Sequence, residues 1–241
     1  MIAAFDLERR LPTYDFFPWL VHVKVLGATE CTIPHARKLF MRKKWFNPEE
    51  TYKRLRHYII PGFALARLPW SFSEEGDREI GSHLHSALVA DMARLRCDLP
   101  RLETVLAPGR ERFTVTIRNS NWKPERNSDG ELWREFARRI GAFVFEEHDE
   151  RPMPLHQRVA IYAGAKMNFG VPNGPLSLLW WTRYPLRMFC DPCNEVMLKD
   201  WRRQGMVPGD QVPWFMPNQK LVWETQTMDN LMREFDRAVT A

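Results

Sequence analysis

From residue 112 onward the chain alternates short apolar runs with longer amphipathic stretches, and this alternation leaves few folds open. RFTVTI at 112–117 reads as a strand and 130–140 as a helix. Strands follow at 142–146, 165–169, 186–189 and 220–223, separated by helices at 154–162, 175–182 and 195–204 and closed by one at 228–239. Parallel neighbours in a sheet need a crossover connection, and a helix after each strand supplies one. The pattern predicts a doubly wound parallel sheet.

The first part of the chain spells the same unit less regularly. Residues 1–6 (MIAAFD) and 28–33 (ATECTI) read as strands around a helix at 15–26, with Pro18 in its first turn, where a missing N–H does no harm. A helix is expected at 49–60, stopped by Pro61 and Gly62, and another at 78–97; no third strand can be placed. The character changes at Ala107-Pro108-Gly109. The expected architecture is therefore α/β, two Rossmann-like halves with parallel sheets flanked by helices, residues 1–108 and 109–241.

Composition narrows the class. Apolar residues make up 44% and charged residues 27%, an ordinary globular balance. No run approaches the roughly 20 apolar residues of a membrane-spanning helix, and the first residues lack a signal-peptide pattern, so a cytoplasmic protein is expected. Cys31, Cys97, Cys190 and Cys193 are too scattered for a disulfide scaffold. The net charge of +5 favours an anionic partner without requiring nucleic acid. Its one-signed part is the basic aromatic segment from Arg37 to Arg56, with Trp45 and Tyr52 interleaved. That segment reads as a solvated helix face and loop, and it also suits a membrane surface or an anionic, lipid-linked acceptor. Nucleic-acid binding is the weaker reading.

In open parallel sheets ligands sit beyond the carboxyl ends of the strands. After RFTVTI comes Arg118-Asn119-Ser120-Asn121-Trp122-Lys123-Pro124-Glu125-Arg126-Asn127-Ser128. Arg forks and a Lys point charge there suit a phosphate or diphosphate, each oxygen receiving a charge-assisted hydrogen bond. The same loop is also explained as solvated polypeptide in which Asn127 or Ser128 caps the next helix. A second loop holds Asn173, Gly174, Pro175 and Ser177 between a strand and a helix. It reads either as a simple turn or as a helix start whose free N–H groups face an anion.

The phrase AGAKMNFGVPNGPLSLLWW, residues 163–181, together with RFTVTIR and its basic loop, resembles GT-B glycosyltransferases, notably the heptosyltransferase-like group. The resemblance implies a metal-independent glycosyltransferase without cofactor, holding a nucleotide-sugar donor in its C-terminal half and a hydroxyl acceptor in its N-terminal half. It implies that Arg118, Lys123 and Arg126 neutralise the departing diphosphate, with helix-start contacts from Asn173, Gly174 and Ser177. The expected base is Asp15, just past the first strand, although an Asp before an apolar helix is equally an N-cap. No Asp-x-Asp sequence is present to bridge a diphosphate through a divalent cation.

Two rival readings remain. One is a non-catalytic nucleotide or phosphate-binding module. The other is a thiol–disulfide protein, because Cys190-Asp191-Pro192-Cys193 stands between a strand and a helix start, as a redox dithiol does. One CxxC offers only two of the four ligands a structural zinc needs, and the His83 and His85 pair falls in a helical pattern, so no metal site is expected.

Overall fold

The computed structural model describes residues 1–7, 16–34, 48–73, 75–79, 81, 85–95, 97–102, 108, 112–120, 123–146 and 153–240. The chain is α/β and divides into two compact units, Met1–Val105 with Pro154–His156, and Leu106–Met153 with Gln157–Ala241.

The first unit is built on a parallel sheet in the order β1 (Ile2–Ala4), β2 (Glu30–Ile33), β3 (Trp70–Phe72). Beyond β1, Asp77 extends the ladder, its N–H donating to the Ile2 carbonyl at 3.0 Å. Between β1 and β2 runs α1 (Phe16–Val25), in which Phe16, Phe17, Trp19, Leu20, Val21, His22, Val23 and Val25 are all buried. A helix apolar on nearly every face belongs inside a core, and this one anchors an aromatic cluster. Phe16 meets Phe5 and Phe63 edge-on, with ring centroids 4.9 and 5.1 Å away.

Three expectations for this unit need correction. Pro61 and Gly62 do not stop the second helix, because α2 (Pro48–Arg54) continues through a π-turn (Leu55–Ile59) into α3 (Ile60–Ala66). Pro61 lacks an N–H and its ring would press on the carbonyl four residues back; the wider turn, in which Ile60 N–H reaches the Leu55 carbonyl, relieves that clash. Gly62 is small because the Phe16 ring lies against it: an added Cβ would come within 2.5 Å of that ring. The missing third strand is β3, only three residues long. The helix expected at 78–97 is the shorter α4 (His85–Leu95).

The second unit holds a parallel sheet in the order β5-β4-β6-β7-β8: β4 (Phe113–Ile117), β5 (Phe143–Glu146), β6 (Met167–Gly170), β7 (Leu186–Phe189) and β8 (Gln219–Val222). Its helices are α5 (Gly130–Ile140), α6 (Leu155–Gly164), the single turn α7 (Gly174–Ser177) continued as a 3-10 turn (Leu178–Trp181), α8 (Glu195–Arg203) and α9 (Met228–Thr240). Alternate residues Phe113, Val115 and Ile117 of β4 and Met167 and Phe169 of β6 share a core with Trp133, Phe136, Ala137 and Ile140 of α5 and Leu231 of α9. The spacing of the α5 residues puts them on one face of a helix. Asp129 caps α5, accepting from Leu132 N–H at 3.1 Å, and Gly141 ends it in the left-handed region at φ 64°. The sequence expected Asn127 or Ser128 as that cap; both are instead bonded within the preceding loop.

The opposite side chains of β4 and β6 are polar but satisfied. Thr114 donates to Asn168 at 2.6 Å, Asn168 donates to the Tyr162 and Pro185 carbonyls, and Thr116 meets the Tyr162 hydroxyl at 2.8 Å. Buried polar groups are tolerable only when paired in this way. At the β8 edge, the Gln211 side chain imitates a further strand, accepting from Leu221 N–H and donating to its carbonyl.

Gly170 ends β6 against β4, where a Cβ would lie 2.6 Å from the Thr116 carbonyl oxygen and 3.0 Å from Leu176. A backbone oxygen cannot yield as a flexible side chain does. Gly170→Ala is expected to destabilise the protein by about 1–3 kcal/mol, the usual cost of overpacking. Urea unfolding would show this as a lowered midpoint at unchanged slope, and an unchanged midpoint would contradict the close approach of the two strands.

Candidate functional site

Chain order sets where a ligand can sit in the second unit. From β4 the chain passes to β5 on one side of the sheet, then returns to β6 on the other side of β4. The connections leaving β4 and β6 therefore diverge, and open α/β sheets carry their ligand crevice at such a switch point. The two loops singled out in the sequence flank it.

The β4 loop is held in shape from inside. Arg118 is buried, and its Nη1 donates to the Lys123 carbonyl at 3.1 Å and to the Asn127 side chain. Asn127 also spans the loop, accepting from Ser120 N–H at 3.0 Å and donating to the Ser120 carbonyl at 3.1 Å. Burial lowers the Arg118 guanidinium to about 10, with Arg126 acting in the same direction and Asp200 and Glu125 opposing. The group stays charged at neutral pH. Lys123 has a left-handed backbone, φ 51°, which is uncommon for a side chain of this size and marks a tight reversal.

That reversal sends Lys123 and Arg126 to one carboxylate. Lys123 Nζ donates to both oxygens of Asp200 at 2.7 Å, and Arg126 Nη1 donates to Oδ2 at 2.7 Å. Arg203 reaches Oδ1 at 3.8 Å. Arg126 joins the two loops as well, its Nη2 donating to the Pro172 carbonyl at 3.2 Å. Its Nε is buried without a hydrogen-bond partner. Asn194, the cap of α8, donates to the Glu125 carbonyl at 2.7 Å, so the loop after β7 closes on the same place.

Arg118, Lys123 and Arg126 thus stand together, whereas the second loop is occupied by its own bonding. Asn173 caps α7, accepting from Leu176 N–H at 2.7 Å and donating to the Val171 carbonyl at 3.0 Å. Ser177 donates to the carbonyl of Gly174, the first residue of that turn, at 2.7 Å. Asp15, the basic stretch at 35–47, Asn121, Trp122 and His83 lie outside the described residues.

Asp200 is the participant that sequence reasoning missed. Within KDWRR it reads as half of a surface pair with Arg203, three residues on, and no local signal ties it to a loop more than seventy residues earlier. What fixes it is the next residue: Trp201 is buried and stacked on Trp180, with ring centroids 5.4 Å apart.

Cys190 lacks the character of a redox thiol. Burial pushes it well above the usual thiol range, against opposing effects of Arg126 and Trp201, while Cys193 is exposed. A reactive dithiol needs the reverse, a lowered and reachable first thiolate. Among the described residues no group of three His, Cys, Asp or Glu side chains is placed to hold a metal ion, and no helix is long and apolar enough to cross a membrane.

The fold and site define a two-unit α/β protein with parallel sheets of three and five strands and a cationic switch point in the second. No family model and no curated protein matches the chain. Among solved structures it is similar to the dodecameric iron-containing heptosyltransferase TibC in complex with ADP-D-beta-D-heptose, with 13% identity, a TM-score of 0.45 and 89% of this chain covered. It is also similar to TibC from enterotoxigenic E. coli, with 13% identity and a TM-score of 0.43 over 89% of this chain. The chain spans about three fifths of those chains, 61% in each case.

The thiol environments have a direct consequence. Iodoacetamide at neutral pH is expected to modify Cys193 in the folded protein and Cys190 only after denaturation, as read by peptide mass mapping. A Cys190–Cys193 disulfide in air-oxidised native protein would instead restore the redox reading.

Proposed function

We propose that the crevice beyond β4 and β6 seats the diphosphate of a nucleotide-sugar, and that the protein is glycosyltransferase-like, passing the sugar to an acceptor hydroxyl without a metal. The observation that carries this reading is the gathering of Arg118, Lys123 and Arg126 at the switch point, with a buried Arg126 Nε left without a partner. An orphaned buried donor costs about 1–3 kcal/mol, and an anion oxygen would relieve it. When a glycosidic bond to a diphosphate breaks, negative charge grows on the leaving oxygens. Lys123 and Arg126 are the groups to stabilise it, and Arg118 keeps the loop that presents them in shape. Gly174, the first residue of α7, would offer backbone without a side chain to the ligand, while Asn173 and Ser177 act by holding the α7 turn.

In this reading the acceptor hydroxyl loses its proton to Asp15, and an anionic or lipid-linked acceptor suits the basic segment of residues 37–56. A second reading, binding without transfer, is favoured by one feature. The cationic cluster is complete within a single unit, and its carboxylate, Asp200, is committed to Lys123 and Arg126 instead of being available as a base.

Calorimetry against nucleoside diphosphates tests the seat. Lys123→Ala and Arg126→Ala are each expected to weaken binding by about 1.5–3 kcal/mol, the worth of a charge-assisted hydrogen bond. Unchanged affinity in both would remove the site. Asp15→Asn is expected to leave binding intact and slow sugar transfer by roughly 10²–10⁴-fold, the contribution of general base catalysis. Normal turnover in that variant would exclude Asp15, and absence of turnover with every donor that binds would favour the binding module.

A further inference from the structure

Asp200 belongs to α8, yet its carboxylate sits where the β4 loop directs its cations, with Oδ2 accepting from Lys123 Nζ and Arg126 Nη1 at 2.7 Å each. A non-bridging phosphate oxygen would take the same two bonds. We propose that Asp200 is an internal stand-in for the ligand's phosphate, occupying the cationic seat until an anion displaces it, and so sets the site's preference for multiply charged diphosphate-class anions.

Three observations support this inference, which rests on the reading of the crevice as a phosphate seat. First, the ion pairs are reachable by water: the Asp200, Lys123 and Arg126 side chains are 25%, 27% and 18% exposed. Pairs of this kind are weak enough to exchange. Second, the carboxylate leaves Arg126 incompletely satisfied, because the buried Nε has no partner, and an anion with more oxygens than a carboxylate can serve it. Third, Asp200 has somewhere to go. Arg203 Nη1 already stands 3.8 Å from Oδ1, so a change of side-chain rotamer keeps the charge paired while Trp201 keeps the helix in place. A singly charged anion gains nothing by replacing one carboxylate with another. A diphosphate, with its greater charge, does.

The test is titration of inorganic pyrophosphate into the full chain and into Asp200→Asn, followed by calorimetry. Removing the competing charge is expected to tighten pyrophosphate binding about two- to fivefold, the equivalent of one partly exposed ion pair. Equal or weaker binding by the variant overturns the stand-in while leaving the phosphate seat intact. Binding by neither protein overturns both. Thermal melting covers a variant that folds poorly. Asp200→Asn leaves the cations facing one another, so it is expected to melt below the parent in anion-free buffer and to recover with millimolar pyrophosphate. A lowered melting temperature that pyrophosphate fails to restore also overturns the stand-in.

Discussion

Strand β4 pairs with β5 on one side and β6 on the other, and the polar architecture of the second unit depends on that divergence. The connections leaving β4 and β6 part there, opening backbone at the carboxyl edge that a continuous order would have closed. Gly170 brings β6 close enough to the Thr116 carbonyl for the two loops to meet, and Arg126 then spans them through the Pro172 carbonyl. Beneath them the bond from Thr114 to Asn168 ties β4 to β6, and Thr116 with the Tyr162 hydroxyl ties β4 to α6. The cations stand on this rigid edge.

Two carboxylates in this unit each collect several cations, and comparing them separates structure from site. Glu234 is buried and receives Lys220 at 3.1 Å and Arg237 at 2.6 Å. Its burial resists ionisation, but the hydrogen bonds from Arg237 and Lys220 prevail and hold its carboxyl below the usual range. This network ties α9 to β8, and the Glu234 carboxylate itself is 1% exposed, although Lys220 and Arg237 keep contact with solvent. Asp200 is a quarter exposed, stands at the carboxyl edge and leaves a neighbouring donor unsatisfied. The same ionic chemistry fastens a helix in one place and leaves a seat exchangeable in the other.

The fold of the second unit was largely legible because its signals are local. The α5 pattern, with Trp133, Phe136, Ala137 and Ile140 on one face, and the runs FTVTI and LRMF specify helix and strand without help from distant residues. The first unit was less legible where packing overrides propensity. Pro61 and Gly62 read as a stop, yet the gain from seating α3 against Phe16 keeps the helix running through a π-turn. Likewise Asn173 and Ser177 carry the composition of an anion-binding turn, and their short-range bonds commit them to capping it.

By itself the sequence determined the parallel α/β class of the second unit and the presence of Arg118, Lys123 and Arg126 in a loop after a strand, since periodicity and loop position are properties of neighbouring residues. Only the tertiary structure decided that these cations face Asp200, that Arg118 braces the loop from within, and that Cys190 is buried away from redox chemistry. Those outcomes depend on residues tens of positions apart meeting at one sheet edge. Distance along the chain carries no information about such meetings until the strands have been ordered.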